Sequence, residues 1–239
     1  ANRRAVDATV PGLSIADGQS FWLRWVDADI PGADDGLAID DFSLTPLSGP
    51  CAEAYTPIYE IQGAGATAAI TGTVTTQGVV VGDYEGPSPA LRGFYLQDAG
   101  GDGNPGTSDG IFVFNGSNAD SVNLGDVVRV TGKAGENQGQ TQISATPANI
   151  LKCGTGSVAP VGVTLPMSST TQMEQFEGML VRFPQPLYVT EHFQLGRFGQ
   201  VVLSADGRLA QPTNIAAPGA PAQAQAAANA RNRIVLDDA

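Results

Sequence analysis

Histidine is nearly missing from this sequence: there is one, His192, in 239 residues. Cysteine is almost as scarce, with Cys51 and Cys153 the only two. A zinc centre would need two ligands beyond that cysteine pair, and a lone imidazole cannot complete it. Basic side chains are few as well, 12 against 24 acidic ones, for a formal net charge of −12. The mean field therefore repels polyphosphates, and any contact with nucleic acid must rest on a local patch. No apolar run approaches the roughly 18 residues that a membrane-crossing helix needs. Walker loop, HExxH and CxxC motifs are all missing, so the enzyme classes they mark have no support. The opening residues Ala1-Asn2-Arg3-Arg4 carry charge with no apolar segment or cleavage motif behind them. The expectation is an internal fragment that contains no signal peptide.

What the chain does have is turn residues, 30 glycines and 16 prolines spread along its length, over a hydrophobic content of 42%. That content can build a core, while turns at short intervals leave little room for long helices, so the fold class expected is all-β. Residues 1–47 carry three strand signals, Ala5 to Val10, Ser20 to Val26 and Leu37 to Leu44. Three strands cannot close a sandwich, so they read as the C-terminal strands of a truncated jelly roll or β-sandwich. A Pro- and Gly-rich linker over 48–57 follows.

Over 58–153 the signals suit a five-stranded OB-like barrel: Gly72 to Asp83, Gly93 to Asp98, Gly110 to Phe114, Gly125 to Gly132 and Gly139 to Ile150. The long first strand has a glycine in its middle, and a polar piece, Asn115 to Asn123, separates the third strand from the fourth. Cys51 and Cys153 flank this run, a placement that reads as a disulfide, with two buried free thiols as the other arrangement. A bridge there implies an oxidising compartment. Residues 154–239 repeat the pattern more weakly, in Glu177 to Val189, Gly199 to Ser204 and Arg233 to Ala239, as a partial second OB-like unit. An Ala- and Gln-rich helix is expected near 216–231, with too few large apolar residues to add much core.

Four blocks, GFYLQDAGGDGNPGTSDGIFVF (Gly93 to Phe114), LGDVVRVTGKAGENQGQTQI (Leu124 to Ile143), EGMLVRFPQPLYVTEHFQLGRFG (Glu177 to Gly199) and NRIVLDDA (Asn232 to Ala239), resemble the ExeM-type family of secreted bacterial nucleases. In that family OB-like regions precede a metal-dependent catalytic domain of the endonuclease/exonuclease/phosphatase superfamily. The resemblance implies an extracellular parent and a downstream nuclease domain on the same polypeptide. It does not bring the activity to this chain, because such a centre uses several carboxylates, an Asn and at least two His. No catalytic residue is therefore assigned. His192, beside Glu191, Phe193 and Arg197, reads as a surface or edge-strand histidine, since no nucleophile or partner pair accompanies it.

Candidate binding residues remain. An OB barrel that holds single-stranded DNA stacks bases on aromatics of its second and third strands and places cations on phosphates. Arg92, Tyr95, Phe112, Arg129 and Lys133, with Phe94, supply both kinds of group. Alternation sends about half of the aromatics inward. Asp98, Asp102, Asn104 and Asp109 crowd a Gly-rich loop where oxygen ligands could take Ca²⁺; the other reading is a solvated loop in which these side chains bond their own backbone. Asp27, Asp29, Asp34, Asp35, Asp40 and Asp41 form a second acidic cluster that could also take calcium; the other reading is a polar turn plus outward-facing strand residues. Three roles follow: an accessory region that presents DNA or orients a catalytic domain, a structural spacer, or a carbohydrate- or surface-binding module using Trp22 and Trp25.

Overall fold

The β-branched run from Thr73 to Val81 stiffens the backbone toward extended conformations, and it forms the longest strand, β1 (Gly72–Tyr84). In the computed structural model, residues 10, 20–25, 42–44, 50–87, 91–116 and 120–237 are described. The chain falls into two units, Ala1–Ala54 and Tyr55–Ala239. In the first, the described residues 20–25 and 42–44 form no strand, and the Trp25 and Phe42 rings meet edge to face at 5.5 Å. Of the strand signal Ala5 to Val10 only Val10 is described, of Leu37 to Leu44 only residues 42–44, and the Asp27 to Asp41 cluster lies outside the described residues.

The second unit starts with a short helix, α1 (Ile58–Gln62), followed by β1, β2 (Gly93–Gln97), β3 (Gly110–Phe114), β4 (Asp126–Asn137), β5 (Gln140–Ser144) and β6 (Ile150–Thr155). Strand order is β1-β2-β3-β5-β4, and β4 pairs back onto β1 to close a five-stranded barrel. All these pairings are antiparallel except β3 with β5. One edge of β4 serves two partners: Lys133 to Asn137 pair with β5, and Asp126 to Val130 pair with β6. The single strand expected over Gly139 to Ile150 is thus two, broken at a 3-10 turn, Pro147–Asn149, where proline has no amide to donate to a ladder.

Period-two alternation fills the barrel with Val74, Val80, Phe94, Leu96, Ile111, Val113, Val128, Val130, Ala134 and Ile143. No sequence signal marks α1, yet its Ile58 and Ile61 are completely buried in the same core. Gln62 fixes the helix by donating from Nε2 to the Gly110 carbonyl at 2.6 Å. Cys51 and Cys153 are joined in a disulfide, as their flanking positions suggested.

Beyond the barrel, β7 (Val161–Gly162) and β8 (Val181–Arg182) pair in parallel, and β9 (Leu187–Glu191), β10 (Val201–Ala205) and β11 (Ile234–Leu236) form an antiparallel sheet in the order β11-β10-β9. α2 (Leu195–Phe198), α3 (Pro212–Ile215) and α4 (Ala220–Arg231) connect them. Pro184 and Pro186 interrupt the long strand expected over Glu177 to Val189, leaving β8 and β9. The expected helix begins at Ala220 and not at Ala216, with Pro221 in its first turn, where a missing amide is harmless. A small core of Val163, Leu165, Met167 and Ala205 lies under this sheet, and Leu187, Ile234 and Phe183 pack on it partly buried. Among the described residues no helix is long and apolar enough to cross a membrane.

Candidate nucleic-acid interface on the barrel

The outer surface of β1, β2 and β3 carries a row of aromatic rings. Tyr95 on β2 sits opposite Phe112 on β3, with ring centroids 4.9 Å apart, and meets Tyr84 of β1 edge to face at 5.8 Å. Tyr84 faces outward because of a register shift. Val80 pairs with Leu96 and points into the core, and simple alternation would send Gly82 and Tyr84 inward with it. The shift between Val80 and Gly82 reverses the phase, so that Gly82 lies opposite Tyr95 and Tyr84 opposite Gly93. Gly93 leaves room for the row, since a Cβ there would lie 2.7 Å from Phe112 Cζ. Tyr84 is exposed and Tyr95 half-buried, whereas Phe112 is 5% exposed and backs the other two. Gln140 on β5 donates from Nε2 to the Tyr95 hydroxyl at 3.2 Å.

The other sequence candidates are distributed differently. Phe94 is fully buried in the barrel core. Arg129 points outward from β4 but is only 7% exposed, because Tyr55 covers it with its ring centroid 5.9 Å from the guanidinium. Arg92 occupies the turn before β2 with a φ of 62°, and its side chain bonds the Gly116 carbonyl and lies 6.0 Å from the Phe114 ring centre. It clamps the loop after β3 and has little left for a phosphate. Lys133 alone stays exposed, level with Ser144 of β5, which pairs in turn with Phe114. That places it one step along the strands from Phe112 and Gln142. The structure therefore brings together Tyr95 and Phe112, adds Tyr84, leaves Lys133 exposed on β4 with β5 between it and β3, and withdraws Arg129 and Arg92 into structural contacts.

In the loop between β2 and β3, three of the four candidate calcium ligands are bonded locally. Asp98 Oδ1 accepts from the Gly100 amide at 2.9 Å, Asp102 Oδ1 from the Asn104 amide at 2.8 Å, and Asn104 Oδ1 from the Gly106 amide at 3.0 Å. Asp109 Oδ1 is buried without a hydrogen bond, and burial, with Asp102 and Asp98 nearby, raises its pKa above the usual carboxylate value. A different trio, Asp83, Glu85 and Asp120, has carboxylate oxygens within 4.8 Å of one another. Glu85, however, already accepts from the Ser121 amide and hydroxyl, the Val122 amide and Asn115 Nδ2, and so ties Asn115 to Ser121 and Val122. His192 is exposed just after β9.

Glu177, which no sequence signal marked as special, lies where the segment after the barrel docks onto it. Its Oε1 accepts from the Thr141 amide at 2.7 Å, its carbonyl accepts from Ser108 Oγ at 2.6 Å, and the Leu180 amide donates to Gln97 Oε1 at 2.8 Å. Burial, followed by the nearby Glu174 and Glu136, pushes its pKa up to about 7 despite the Thr141 amide.

No protein-family model matches this chain, and no curated protein matches it either.

Proposed function

We propose that this chain is a non-catalytic accessory region of a secreted, metal-dependent nuclease, and that its barrel presents single-stranded nucleic acid to a catalytic domain elsewhere on the polypeptide. The observation that carries the reading is the outward row of Tyr84, Tyr95 and Phe112 on β1, β2 and β3. Stacking a base on such a ring contributes about 1–3 kcal/mol and tolerates any sequence, which suits an enzyme that degrades nucleic acid generally. The disulfide and the four blocks resembling ExeM-type nucleases support the extracellular setting. Of the three candidate cations only Lys133 stays exposed, and one cation on a chain of net charge −12 gives weak, salt-sensitive binding.

Titration of a fluorescent single-stranded deoxythymidine oligonucleotide at low and moderate salt tests this. Binding that weakens with salt, and that drops roughly five- to a hundred-fold in Tyr84→Ala or Tyr95→Ala, is the expected result. Equal affinity in both variants sinks the stacking face. The close backbone docking of Gly178 on Gly110 favours a second reading, a rigid spacer that orients its neighbours and binds nothing.

A further inference from the structure

The barrel keeps few cations available for phosphates, and basic groups stand free elsewhere in the unit. Five of the chain's 12 basic residues, Arg182, Arg197, Arg208, Arg231 and Arg233, lie beyond residue 156. Two of them, Arg208 and Arg233, line one groove of about 400 Å³ between β9, the segment from 208 to 212, and α4.

We propose that this groove is a phosphate-binding subsite, in which Arg208 and Arg233 hold a phosphodiester of the single strand lying on the barrel. Its ligand class rests on the nucleic-acid reading above; its preference for anions does not. Three features argue for it. First, Arg208 is exposed and pairs with no carboxylate among the described residues, while the only ion pair of Arg233 is a loose one, 4.0 Å from Glu191 Oε2. Glu191 is the single acidic group on the lining, so two guanidinium groups outweigh one carboxylate there, on a chain that is strongly acidic overall. A guanidinium offers a planar fork of donors that matches a phosphate, and its weak hydration makes the exchange from water inexpensive.

Second, the walls are pinned by bonds that do not use the arginines. Thr190 Oγ1 accepts from the Leu209 amide at 2.7 Å, and Asn229 Nδ2 donates to the Ala210 carbonyl at 2.9 Å while its Oδ1 accepts from Gln225 at 2.8 Å. A groove fixed in this way needs little ordering when it binds. Third, α4 turns Ala226 and Ala230 toward the groove, and these short side chains leave the space that a bulkier helix would fill.

The test uses the full chain with two probes, inorganic pyrophosphate followed by ³¹P NMR and a fluorescent ten-residue deoxythymidine oligonucleotide. In the double variant Arg208→Ala/Arg233→Ala, pyrophosphate binding should fall at least tenfold. The slope of log affinity against log salt for the oligonucleotide should shrink by about 0.7, the value for one single-strand phosphate lost. Arg208→Lys should restore part of the affinity, and Arg197→Ala, on an exposed arginine that stacks on Phe198 at 4.8 Å outside the groove, should change neither probe. Circular dichroism checks that the variants are folded.

Oligonucleotide binding that needs Tyr84 and Tyr95 but keeps its salt slope in the double variant overturns the subsite and leaves the barrel reading standing. Pyrophosphate binding lost in the double variant, with no oligonucleotide binding by the wild type, supports the groove as a site for free phosphate and overturns the single-strand assignment. Binding of neither probe by the wild type overturns both.

Discussion

Gly110 and Gly178 meet backbone to backbone: a Cβ on Gly110 would lie 2.5 Å from the Met179 nitrogen, and one on Gly178 2.8 Å from the Ile111 nitrogen. Neither distance is open to a real side chain, so this contact joins the segment after the barrel to the first residue of β3 only while both positions are glycine. The bonds from Leu180 to Gln97, from Ser108 to the Glu177 carbonyl and from Thr141 to Glu177 Oε1 cluster around it.

Gly178→Ala should therefore release the segment. Overpacking costs about 1–3 kcal/mol, and Gly178 also has a φ of 71°, in the left-handed region that costs an L-residue about 1–2 kcal/mol. Urea unfolding should report a loss of that size. Hydrogen exchange should locate it, with the Leu180 and Thr141 amides losing protection and amides in the centre of β1 keeping it.

Glu177 should make the same docking pH-dependent. Its carboxyl titrates at about 7 in the folded chain against 4.5 without the fold, so folding favours the protonated form. The contribution of this group to stability is full below pH 4.5 and is lost as pH rises toward 7. The midpoint of thermal unfolding should fall across that window, an effect to which the raised pKa values of Asp83 and Asp109 add in the same direction. Glu177→Gln, which keeps an oxygen for the Thr141 amide, should raise the midpoint at pH 8 and flatten the slope between pH 5 and 7. A midpoint at pH 8 unchanged by the substitution would rule out Glu177 as a source of the pH dependence.

Reduction of the Cys51–Cys153 disulfide should destabilise the chain. It closes a loop of about a hundred residues, and the loss of that constraint is worth up to about 4–5 kcal/mol by the chain-entropy treatment. Denaturant midpoints for the reduced chain and for Cys153→Ser should agree with one another and lie below the oxidised protein's.

Millimolar calcium should leave the unfolding midpoint unchanged. The Asp98, Asp102 and Asn104 oxygens are held by their own loop amides, and recruiting them to an ion would break those bonds. A ligand that bound only the folded state would raise the midpoint with its concentration, so a calcium-dependent rise abolished by Asp109→Asn would instead place the ion in this loop.

Much of the barrel was legible in the sequence because its information is local. Period-two alternation in Asp126 to Lys133 marks β4, β-branched runs mark β1, and cysteines on either side mark the bridge. The aromatic face was legible only in part. Tyr95 and Phe112 follow from the alternation of β2 and β3, but Tyr84 does not: its outward direction depends on a register shift set by how β1 pairs with β2. Arg129 alternates outward as the sequence requires, and is removed from the surface by Tyr55, seventy-four positions earlier in the chain.

The sequence by itself determined the all-β character, the strands of the barrel and the lack of a histidine-rich catalytic centre, since composition, alternation and residue counts do not depend on what packs where. The tertiary structure alone decided which aromatics reach solvent, which cations are already engaged, that α1 fills one part of the core, and that Gly110 and Gly178 touch. Each of these is a relation between segments far apart in the chain, and close packing, not local preference, sets it.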